Sequence, residues 1–441
     1  MATQIGYSSI GPGVRYDLGE QDSIYVLRTS SVVSTDSFGI TGTGFLQSVI
    51  IAGDVFGETA GVHLGDNQDL DWGHVVHVQT GASVSGELLL GGYGVYLTGY
   101  DNQLLNDGSI SGGYGVMFRG DGGRVVNTGI IQAASVGLGN IGGVAGDTMT
   151  VVNTGTIAGA DASLYFLYSL TAETVVNRGV LIGAVGTGGG DDVVDNRGGR
   201  IEGDVYLGAG ADLLDNRDGV IFGAIKAEDG ADTIRPGAGI EVIDGGIHTD
   251  VIDFRGTPAV QVALDGSVEG TGHAAGDSYS AVENVFGSVF DDLIVGNAAV
   301  NYLFGSGGAD VIDGRGGSDI LRGGNGVDTV TGGAGNDSFR FLTLAEIGDT
   351  ITDFSNVTAN NDRFQIGAAG FGGGLMAGAL NPAFFRSRAD NLAQDADDRF
   401  IFRTTDRSLW FDVDGTGAAA AVMVADLQPG AVVTAADLLI L

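Results

Sequence analysis

Short apolar runs separated by glycine-rich turns fill most of the chain, and their spacing follows two periods. From Gly287 to Arg340 the period is nine residues, held over six blocks without an insertion: GSVFDDLIV, GNAAVNYLF, GSGGADVID, GRGGSDILR, GGNGVDTVT and GGAGNDSFR. The eighth position is always apolar and holds Ile294, Leu303, Ile312, Leu321, Val330 and Phe339. Glycines at positions one, two and four favour tight turns, and the apolar eighth position predicts a very short strand that faces inward.

Position six of these blocks is polar and almost always acidic. Its residues are Asp292, Asn301, Asp310, Asp319, Asp328 and Asp337. If two blocks make one coil, residues 18 apart stack at the distance between neighbouring strands, about 4.8 Å, and form two columns. Like charges at that spacing repel by about 1 kcal/mol per pair in water and by more at lower dielectric. The columns therefore need a counter-ion, and carboxylates with turn carbonyls are hard oxygen ligands that suit Ca2+.

The blocks resemble the hemolysin-type nonapeptide GGxGxDxUx of RTX proteins. The resemblance implies a parallel β-roll in which each Ca2+ lies between the turns of successive coils. It implies as ligands the position-six side chains named above and turn carbonyls such as those of Gly305, Gly307, Gly314, Gly316, Gly324 and Gly326. The first two blocks lack several of these features, so we expect weaker or empty sites at Asp292 and Asn301. A disordered glycine- and aspartate-rich linker is the alternative, but it does not account for the constant register.

A second, looser repeat precedes the blocks. Its recurring asparagines are Asn106, Asn127, Asn153, Asn177, Asn196 and Asn216, separated by 21, 26, 24, 19 and 20 residues. A period near 20 with several short β-rich runs predicts one coil of a parallel β-helix per repeat. Asparagine tolerates left-handed backbone and can stack as a hydrogen-bonded ladder along such coils. Separate antiparallel hairpins are the alternative, since the irregular spacing also suits hairpin loops.

The two repeats merge between Thr187 and Asp253. Turns similar to the nonapeptide occur once per coil there, in GGGDDVVDN, GAGADLLDN, EDGADTIRP and GGIHTDVIDF. Their position-six equivalents are Asp192, Asp212, Asp232 and Asp250. The pattern is compatible with additional Ca2+ sites and equally with solvated turn aspartates.

Together these patterns predict an all-β fold: a parallel β-helix or solenoid that continues into a Ca2+-binding RTX β-roll with a β-rich C-terminal cap. The predicted domains are an N-terminal cap at 1–40, degenerate β-helix repeats at 41–260, a connector at 261–286, the β-roll at 287–340, and a C-terminal cap and type I secretion region at 341–441.

The amino-acid composition limits the kinds of molecule that the protein can bind. The 441 residues include 55 acidic and 20 basic ones, and the net charge of −35 argues against nucleic acid or anionic membranes as partners. Without cysteine, neither disulfides nor thiolate metal sites can form. We find no cleavable N-terminal signal and no apolar stretch that approaches the length of a membrane span. The RTX resemblance nevertheless implies export from a Gram-negative bacterium through a type I secretion apparatus, and so a secreted or cell-surface location.

Sequence motifs that indicate a catalytic site are weak in this chain. The sequence GHVVH at Gly73 to His77 lacks the glutamate and the four-residue spacing of a zinc protease, and no GxSxG elbow occurs. The segment Asp66 to His77 groups carboxylates, Trp72 and two histidines, which fits either a glycan-active site or a polar loop. Nearby tyrosines form either a sugar-binding stripe or packing between coils; they are Tyr93, Tyr96, Tyr100 and Tyr114.

Because repeats occupy most of the chain, the leading prediction is a structural or adhesive component of the cell surface or matrix, such as a surface-layer subunit, filament or adhesin that self-assembles or binds a surface glycan. The alternative is an extracellular glycan-active enzyme, a lyase, epimerase or hydrolase, that uses the β-helix groove.

Overall fold

The computed structural model describes residues 3–66, 71–88, 91–120, 122–142, 148–166, 170, 172–358 and 360–441. The chain divides into two compact units, Met1–His248 (unit 1) and Thr249–Leu441 (unit 2). Both units consist mainly of short β-strands, which confirms the predicted all-β fold class.

Unit 1 is a parallel β-helix. Its described strands are β1 (Thr3–Gly6), β2 (Ser9–Gly11), β3 (Tyr16–Leu18), β4 (Ser23–Val26), β5 (Ser31–Ser34), β6 (Phe38–Gly42), β7 (Ser48–Ile51), β8 (Asp54–Gly57), β9 (Ala60–Leu64), β10 (Val75–Val78), β11 (Ser83–Ser85), β12 (Tyr93–Thr98), β13 (Gln103–Asn106), β14 (Ser109–Arg119), β15 (Gly123–Asn127), β16 (Ile130–Asn140), β17 (Thr148–Asn153), β18 (Thr156–Tyr165), β19 (Ala172–Asn177), β20 (Val180–Gly186), β21 (Val193–Asp195), β22 (Arg200–Glu202), β23 (Val205–Ala209), β24 (Leu213–Asp215), β25 (Val220–Ile221), β26 (Ala224–Asp229), β27 (Thr233–Arg235) and β28 (Val242–Asp244).

The described coils of unit 1 have strands on up to three faces. β4, β5 and β6 pair in parallel with β7, β8 and β9 of the next coil, one strand on each face. In the middle coils one long strand serves the second and third faces, as β14, β16 and β18 do. The antiparallel-hairpin alternative is therefore wrong for the coils whose pairing the structure describes.

An asparagine ladder runs along the interior of unit 1. The Nδ2 of each predicted ladder residue donates to the Oδ1 of the next at 2.7 to 2.8 Å, from Asn106 through to Asn216. All of these side chains are fully buried, and Glu241 ends the ladder by accepting from Asn216 at 2.9 Å. Since a buried amide without partners costs free energy, this continuous chain of hydrogen bonds fixes the register of successive coils. The predicted ladder is confirmed.

Unit 2 contains the nonapeptide blocks. Its strands are β29 (Val251–Asp253), β30 (Gln261–Ala263), β31 (Ser278–Ser280), β32 (Asn284–Phe286), β33 (Leu293–Val295), β34 (Tyr302–Gly307), β35 (Val311–Asp313), β36 (Ile320–Asn325), β37 (Thr329–Thr331), β38 (Ser338–Thr343), β39 (Asp349–Ile351), β40 (Asn356–Val357), β41 (Asn360–Asn361), β42 (Arg363–Gly367), β43 (Gly378–Ala379), β44 (Phe385–Arg388), β45 (Phe400–Arg403), β46 (Ser408–Phe411), β47 (Val422–Leu427) and β48 (Leu438–Ile440). The helical segments are α1 (Ala368–Phe371) and the 3-10 turns Gly272–Ala274, Pro382–Phe384 and Ala435–Asp437.

The blocks form a two-faced roll with two strands per coil. β32, β34, β36 and β38 stack in parallel on one face, and β33, β35 and β37 stack on the other. Residues 18 apart are direct partners, as Ile294 is with Ile312 and Leu303 with Leu321. Every position-eight residue is at most 2% exposed, so the predicted inward anchor is confirmed.

Strands that follow the blocks close the roll. β42 and then β48 extend one face in parallel, while β39 and then β47 extend the other. β47, β46 and β45 continue as an antiparallel sheet. This arrangement covers the apolar end and the strand edges that the last coil would otherwise expose.

Candidate metal centres

The position-six aspartates form hydrogen-bonded columns in the roll. Oδ1 of Asp310 accepts the backbone N–H of Asp292 at 2.8 Å, and Oδ1 of Asp328 accepts that of Asp310 at 2.8 Å. The other column repeats this contact from Asn301 to Asp319 at 2.8 Å and from Asp319 to Asp337 at 2.9 Å. Each side chain thus uses one oxygen to bind the preceding coil, and this contact fixes where the other oxygen lies.

That second oxygen has no partner in four of the six blocks. Oδ2 of Asp310, Asp319, Asp328 and Asp337 is buried without a hydrogen bond, and none of the four residues is more than 1% exposed. Burying a carboxyl oxygen without a hydrogen-bond partner costs free energy, and the cost is far larger when the carboxyl group is ionised. The arrangement is stable with the carboxylates ionised only if a cation completes it.

Glycine at position one leaves the space beside this oxygen open. A Cβ on Gly305 would lie 2.1 Å from Oδ2 of Asp310 and 2.5 Å from the carbonyl oxygen of Gly323. A Cβ on Gly314 would lie 2.5 Å from Oδ2 of Asp319 and 2.6 Å from the carbonyl oxygen of Gly332. Carboxylate and carbonyl oxygens therefore converge where any other residue would place a carbon atom.

Positions two and four adopt left-handed backbone in the last four blocks. The φ angles are 110° at Gly324 and 145° at Gly326, and the equivalent angles at Ser306 and Arg315 are 79° and 70°. Position three is different, because a Cβ on Gly307 or Gly316 would meet no atom closer than 3.5 Å. The turn therefore needs glycine for space at position one and favours it for conformation at positions two and four.

Burial raises the pKa of the column carboxyls. It raises the pKa of Asp310 to about 8, with the neighbouring charges of Asp328 and Asp292 adding to the effect. Burial and the charge of Asp337 raise the pKa of Asp319 to about 7. The pKa values of Asp328 and Asp337 are also raised, mainly by burial. Without a cation, burial thus shifts the ionisation of these groups towards the protonated form, as expected for stacked carboxyls withdrawn from water.

The first two blocks satisfy their position-six side chains internally. Oδ2 of Asp292 accepts the backbone N–H of Ser288 at 2.6 Å, and its Oδ1 accepts the Ser288 hydroxyl at 3.0 Å. Oδ1 of Asn301 accepts the N–H of Asn297 at 2.9 Å, and its Nδ2 donates to the carbonyl of Glu283 at 2.8 Å. These contacts are the physical difference behind the expectation of weaker sites here, which stays a prediction.

Two further aspartates continue the columns beyond Arg340. Oδ1 of Asp349 accepts the N–H of Asp328, and Oδ1 of Asp362 accepts the N–H of Asp337, both at 3.0 Å. Burial raises their pKa values to about 8 and about 6. Sequence reasoning missed them because insertions lengthen the spacing to 21 and 25 residues. The recurring signal was an aspartate two residues before a buried apolar residue, Ile351 or Phe364.

The possible catalytic cluster of unit 1 comes together in part: Asp66, Asp71 and Trp72 line one surface groove, and residues 67–70 lie outside the described residues. The ring of His63 stacks on Tyr96 and contacts the tilted ring of Phe38. His74 is fully buried, which lowers its pKa to about 4. His77 instead binds Asp107 at 2.9 Å. His63 and His74 are thus close enough to interact electrostatically, whereas the polar partner of His77 is Asp107.

Three of the four tyrosines of the predicted stripe stack on one another. Tyr93 packs against Tyr96 and Tyr114, with ring centroids 4.8 and 5.2 Å apart. Tyr93 and Tyr114 also border a surface groove of about 520 Å3, whose other lining includes Asp161, Tyr165 and Tyr206. Gly186 is the strand partner of both Tyr165 and Tyr206. Because glycine has no side chain, it leaves space for the groove beside these two tyrosines.

The donor set of the roll fits Ca2+. Among the described residues no three His, Cys, Asp or Glu side chains converge as a metal site, so any ion in the roll depends on backbone carbonyls together with one or two carboxylates. Such an all-oxygen set is typical of Ca2+ rather than of zinc or copper. No helix in the described part of the chain has the length and apolarity needed to cross a membrane.

Comparison with known proteins identifies the repeat type of the nonapeptide blocks. A model of the RTX calcium-binding nonapeptide repeat, which comprises four copies, matches residues 286–321 and 304–339. No curated protein matches the chain. Among solved structures, the chain is similar to the AlgE6R3 subunit of the Azotobacter vinelandii mannuronan C5-epimerase, with 27% identity, a TM-score of 0.24, and coverage of 35% of this chain and 80% of that one. The blocks within residues 286–339 are RTX calcium-binding nonapeptide repeats.

Proposed function

We propose that this is a secreted calcium-binding protein whose roll folds when it meets extracellular Ca2+. The observation that carries the proposal is the set of four buried carboxylate oxygens without partners, in Asp310, Asp319, Asp328 and Asp337. The ligands would be these carboxylates and the turn carbonyls around Gly305, Gly307, Gly314, Gly316, Gly324 and Gly326, with lesser contributions at Asp292 and Asn301.

The free energy of Ca2+ binding is large enough to switch the roll from unfolded to folded. Each ion that binds only the folded roll adds RT ln(1+[L]/Kd), which is about 1 kcal/mol when the Ca2+ concentration is several times Kd. Extracellular modules bind Ca2+ with Kd values of about 0.1 to 1 mM, so millimolar Ca2+ fills them while the scarce Ca2+ of a cytosol does not. Several sites in register add up to a contribution comparable with the free energy of unfolding of a domain.

Export fits this switch. RTX repeats are typical of proteins secreted by Gram-negative bacteria, and we place this chain among those exported by a type I apparatus, with residues 341–441 as the cap and secretion region. A roll that stays unfolded without Ca2+ leaves the chain able to pass through a narrow channel. Outside the cell, the same residues close the folded roll through β42, β47 and β48.

The folded protein would serve as a structural or adhesive component of the cell surface or matrix. Repetitive coils make up most of the described chain, which is typical of scaffolding and surface proteins. Electron microscopy of the full chain with Ca2+ and with chelator tests this role. We expect ordered assemblies or attachment to isolated cell surfaces with Ca2+ only, and a protein that stays monomeric and unattached under both conditions would contradict it.

A second candidate is glycan binding or processing, which the groove beside Tyr165 and Tyr206 favours. Aromatic faces and a carboxylate such as Asp161 are groups that sugar-binding sites use. Incubation of the Ca2+-loaded protein with acidic and neutral polysaccharides, followed by assay for unsaturated or reducing ends, tests it. Release of sugars that is lost in Tyr165→Ala would establish this function, and an inactive wild type that binds no polysaccharide would exclude it.

A further inference from the structure

Three turns of unit 1 repeat the geometry of the roll although the RTX match begins only at residue 286. They span residues 187–192, 207–212 and 227–232 and occur once per coil. Gly208 and Gly210 have φ angles of 104° and 146°, close to the 110° and 145° of Gly324 and Gly326 in the roll. The same two positions are left-handed in the preceding turn, at Gly188 and Gly190 with φ angles of 104° and 113°, and in the following turn, at Glu228 and Gly230 with 76° and 156°.

The hydrogen bonds of these turns also correspond. The N–H of Gly190 donates to the carbonyl of Ala209 at 2.7 Å, as that of Gly308 does to Asn325 at 3.0 Å in the roll. The N–H of Asp192 donates to Oδ1 of Asp212 at 2.7 Å, which matches the 2.8 Å contact between Asp310 and Asp328. The agreement covers the backbone conformation, the contacts between coils and the orientation of the aspartate.

The aspartates of these turns are buried, which contradicts the interpretation as solvated turn residues. Asp192 is 1% and Asp212 is 2% exposed, and Oδ2 of each has no hydrogen-bond partner. The Oδ1 atoms are both used, by the N–H of Glu173 and of Asp192. The remaining oxygens are therefore in the same situation as those of the roll.

The chain supplies arginines to a different set of aspartates in the same coils. Asp195 binds Arg178 and Arg197, and Asp215 binds Arg217, each at 2.7 Å. Within the described residues no basic side chain makes a salt bridge with Asp192 or Asp212. One column of acidic residues is thus neutralised by the protein, whereas the other needs a cation from solution.

We propose that unit 1 holds its own calcium column, with one ion between the turns at 187–192 and 207–212 and a second between those at 207–212 and 227–232. The ligands are the carboxylates of Asp192 and Asp212 together with turn carbonyls, and the site class is again all-oxygen. The proposal depends on the proposed function only in taking Ca2+ as the ion. It adds that Ca2+ stabilises the β-helix itself and not just the roll.

These sites should bind more weakly than those of the roll. Position one is Thr187 or Leu207 instead of glycine, and the Thr187 hydroxyl already donates to the carbonyl of Leu207 at 2.7 Å. A carbonyl that is engaged in this way is a poorer ligand. We therefore expect the unit 1 sites to fill at higher Ca2+ concentrations than the roll.

Hydrogen exchange of the full chain, measured by mass spectrometry over a Ca2+ titration, tests the proposal. We expect amides in 187–232 to exchange about tenfold more slowly when Ca2+ is ten times above the Kd of these sites. In Asp212→Asn this local slowing should disappear, while that of 305–340 persists and the number of bound ions falls by two. Asn301 shows that a position-six amide is compatible with the turn.

Asp218→Asn is the matched control, since Asp218 lies in the same coil as Asp212, is exposed and already has a left-handed φ of 62°. It should behave as wild type. Exchange in 187–232 that does not respond to Ca2+, while 305–340 does respond, would overturn the calcium column and leave the proposed function intact. A response to Ca2+ in 187–232 without one in 305–340 would support the calcium column of unit 1 and contradict the Ca2+-dependent folding of the roll. If Asp212→Asn does not fold, the wild-type titration still decides between these outcomes, and Asp319→Asn then separates a local response from one transmitted by the roll.

Discussion

The backbone N–H of Asp310 donates to Oδ1 of Asp328 at 2.8 Å, and this contact leaves Oδ2 of Asp328 buried without a partner. One carboxylate therefore has two tasks, to hold adjacent coils in register and to present an oxygen to a cation. Stacking such residues without an ion opposes ionisation, whereas stacking them with ions stabilises the coil. Ca2+ binding and folding are coupled through this relationship.

Asp319→Asn should weaken Ca2+ binding by about tenfold or more, because it removes one ligand charge from the column. The amide can still accept the N–H of Asn301, so the fold should persist in high Ca2+. Isothermal titration calorimetry of the full chain measures the effect. Asp313→Asn, which changes an aspartate of the same coil that is bound to Arg315, should weaken binding far less, since Asp313 acts on Asp319 only through its charge. Equal affinities for all three proteins would show that Asp319 is not a ligand.

Gly305→Ala should destabilise the Ca2+-bound roll by about 1 to 3 kcal/mol, since the new methyl group overlaps Oδ2 of Asp310 and the carbonyl oxygen of Gly323. Gly307→Ala, two residues away, is the matched control because its methyl would meet nothing closer than 3.5 Å. Chemical denaturation in saturating Ca2+ compares the two. Similar losses in both variants would contradict the importance of the space at position one.

In chelator, the roll should become less stable as the pH rises. Folding raises the pKa of Asp310 to about 8 and of Asp319 to about 7, so their contribution is fully present below the ordinary carboxyl pKa and is lost as the pH rises through these values. With Ca2+ the ionised forms are the binding forms. The folded fraction of the roll, followed by circular dichroism in chelator and in Ca2+ between about pH 5 and pH 8, should therefore diverge, with the gain from Ca2+ largest at high pH. A gain that is independent of pH would argue against ionised carboxylates as ligands.

Asn153→Ala should destabilise unit 1 by about 1 to 3 kcal/mol, whether or not Ca2+ is present. The change removes the acceptor for Asn127 and the donor to Asn177, both at 2.8 Å. Thr154→Ala alters an exposed neighbour and should have little effect. Thermal unfolding followed by exchange of unit 1 peptides measures both. A loss that depends on Ca2+ would show that the ladder is not an independent source of stability.

The regular repeats made much of this structure predictable. The apolar eighth position and the asparagines of the looser repeat each predicted a buried column, because the same local environment recurs in every coil. The two-strand coils of the roll followed from the 18-residue register. The three faces of unit 1 did not follow, since a period near 20 fixes the length of a coil but not where it bends.

Individual contacts were less predictable. The hydrogen bonds of Ser288 to Asp292 depend on how a block with fewer glycines turns, which the nine-residue pattern does not describe. Asp349 and Asp362 were missed because insertions interrupt the period before the columns end. The contrast between Asp195, paired with arginines, and Asp192, unpaired, depends on which side of the coil each one faces.

The coupling of Ca2+ binding to folding of the roll is best measured by the hydrogen exchange of the column amides, those of Asp310, Asp319, Asp328 and Asp337, in the full chain with and without Ca2+. We expect rapid exchange in chelator and cooperative protection on addition of millimolar Ca2+, with the transition shifted to higher Ca2+ in Asp319→Asn. Amides that are equally protected in chelator and in Ca2+ would contradict the coupling of calcium binding to folding.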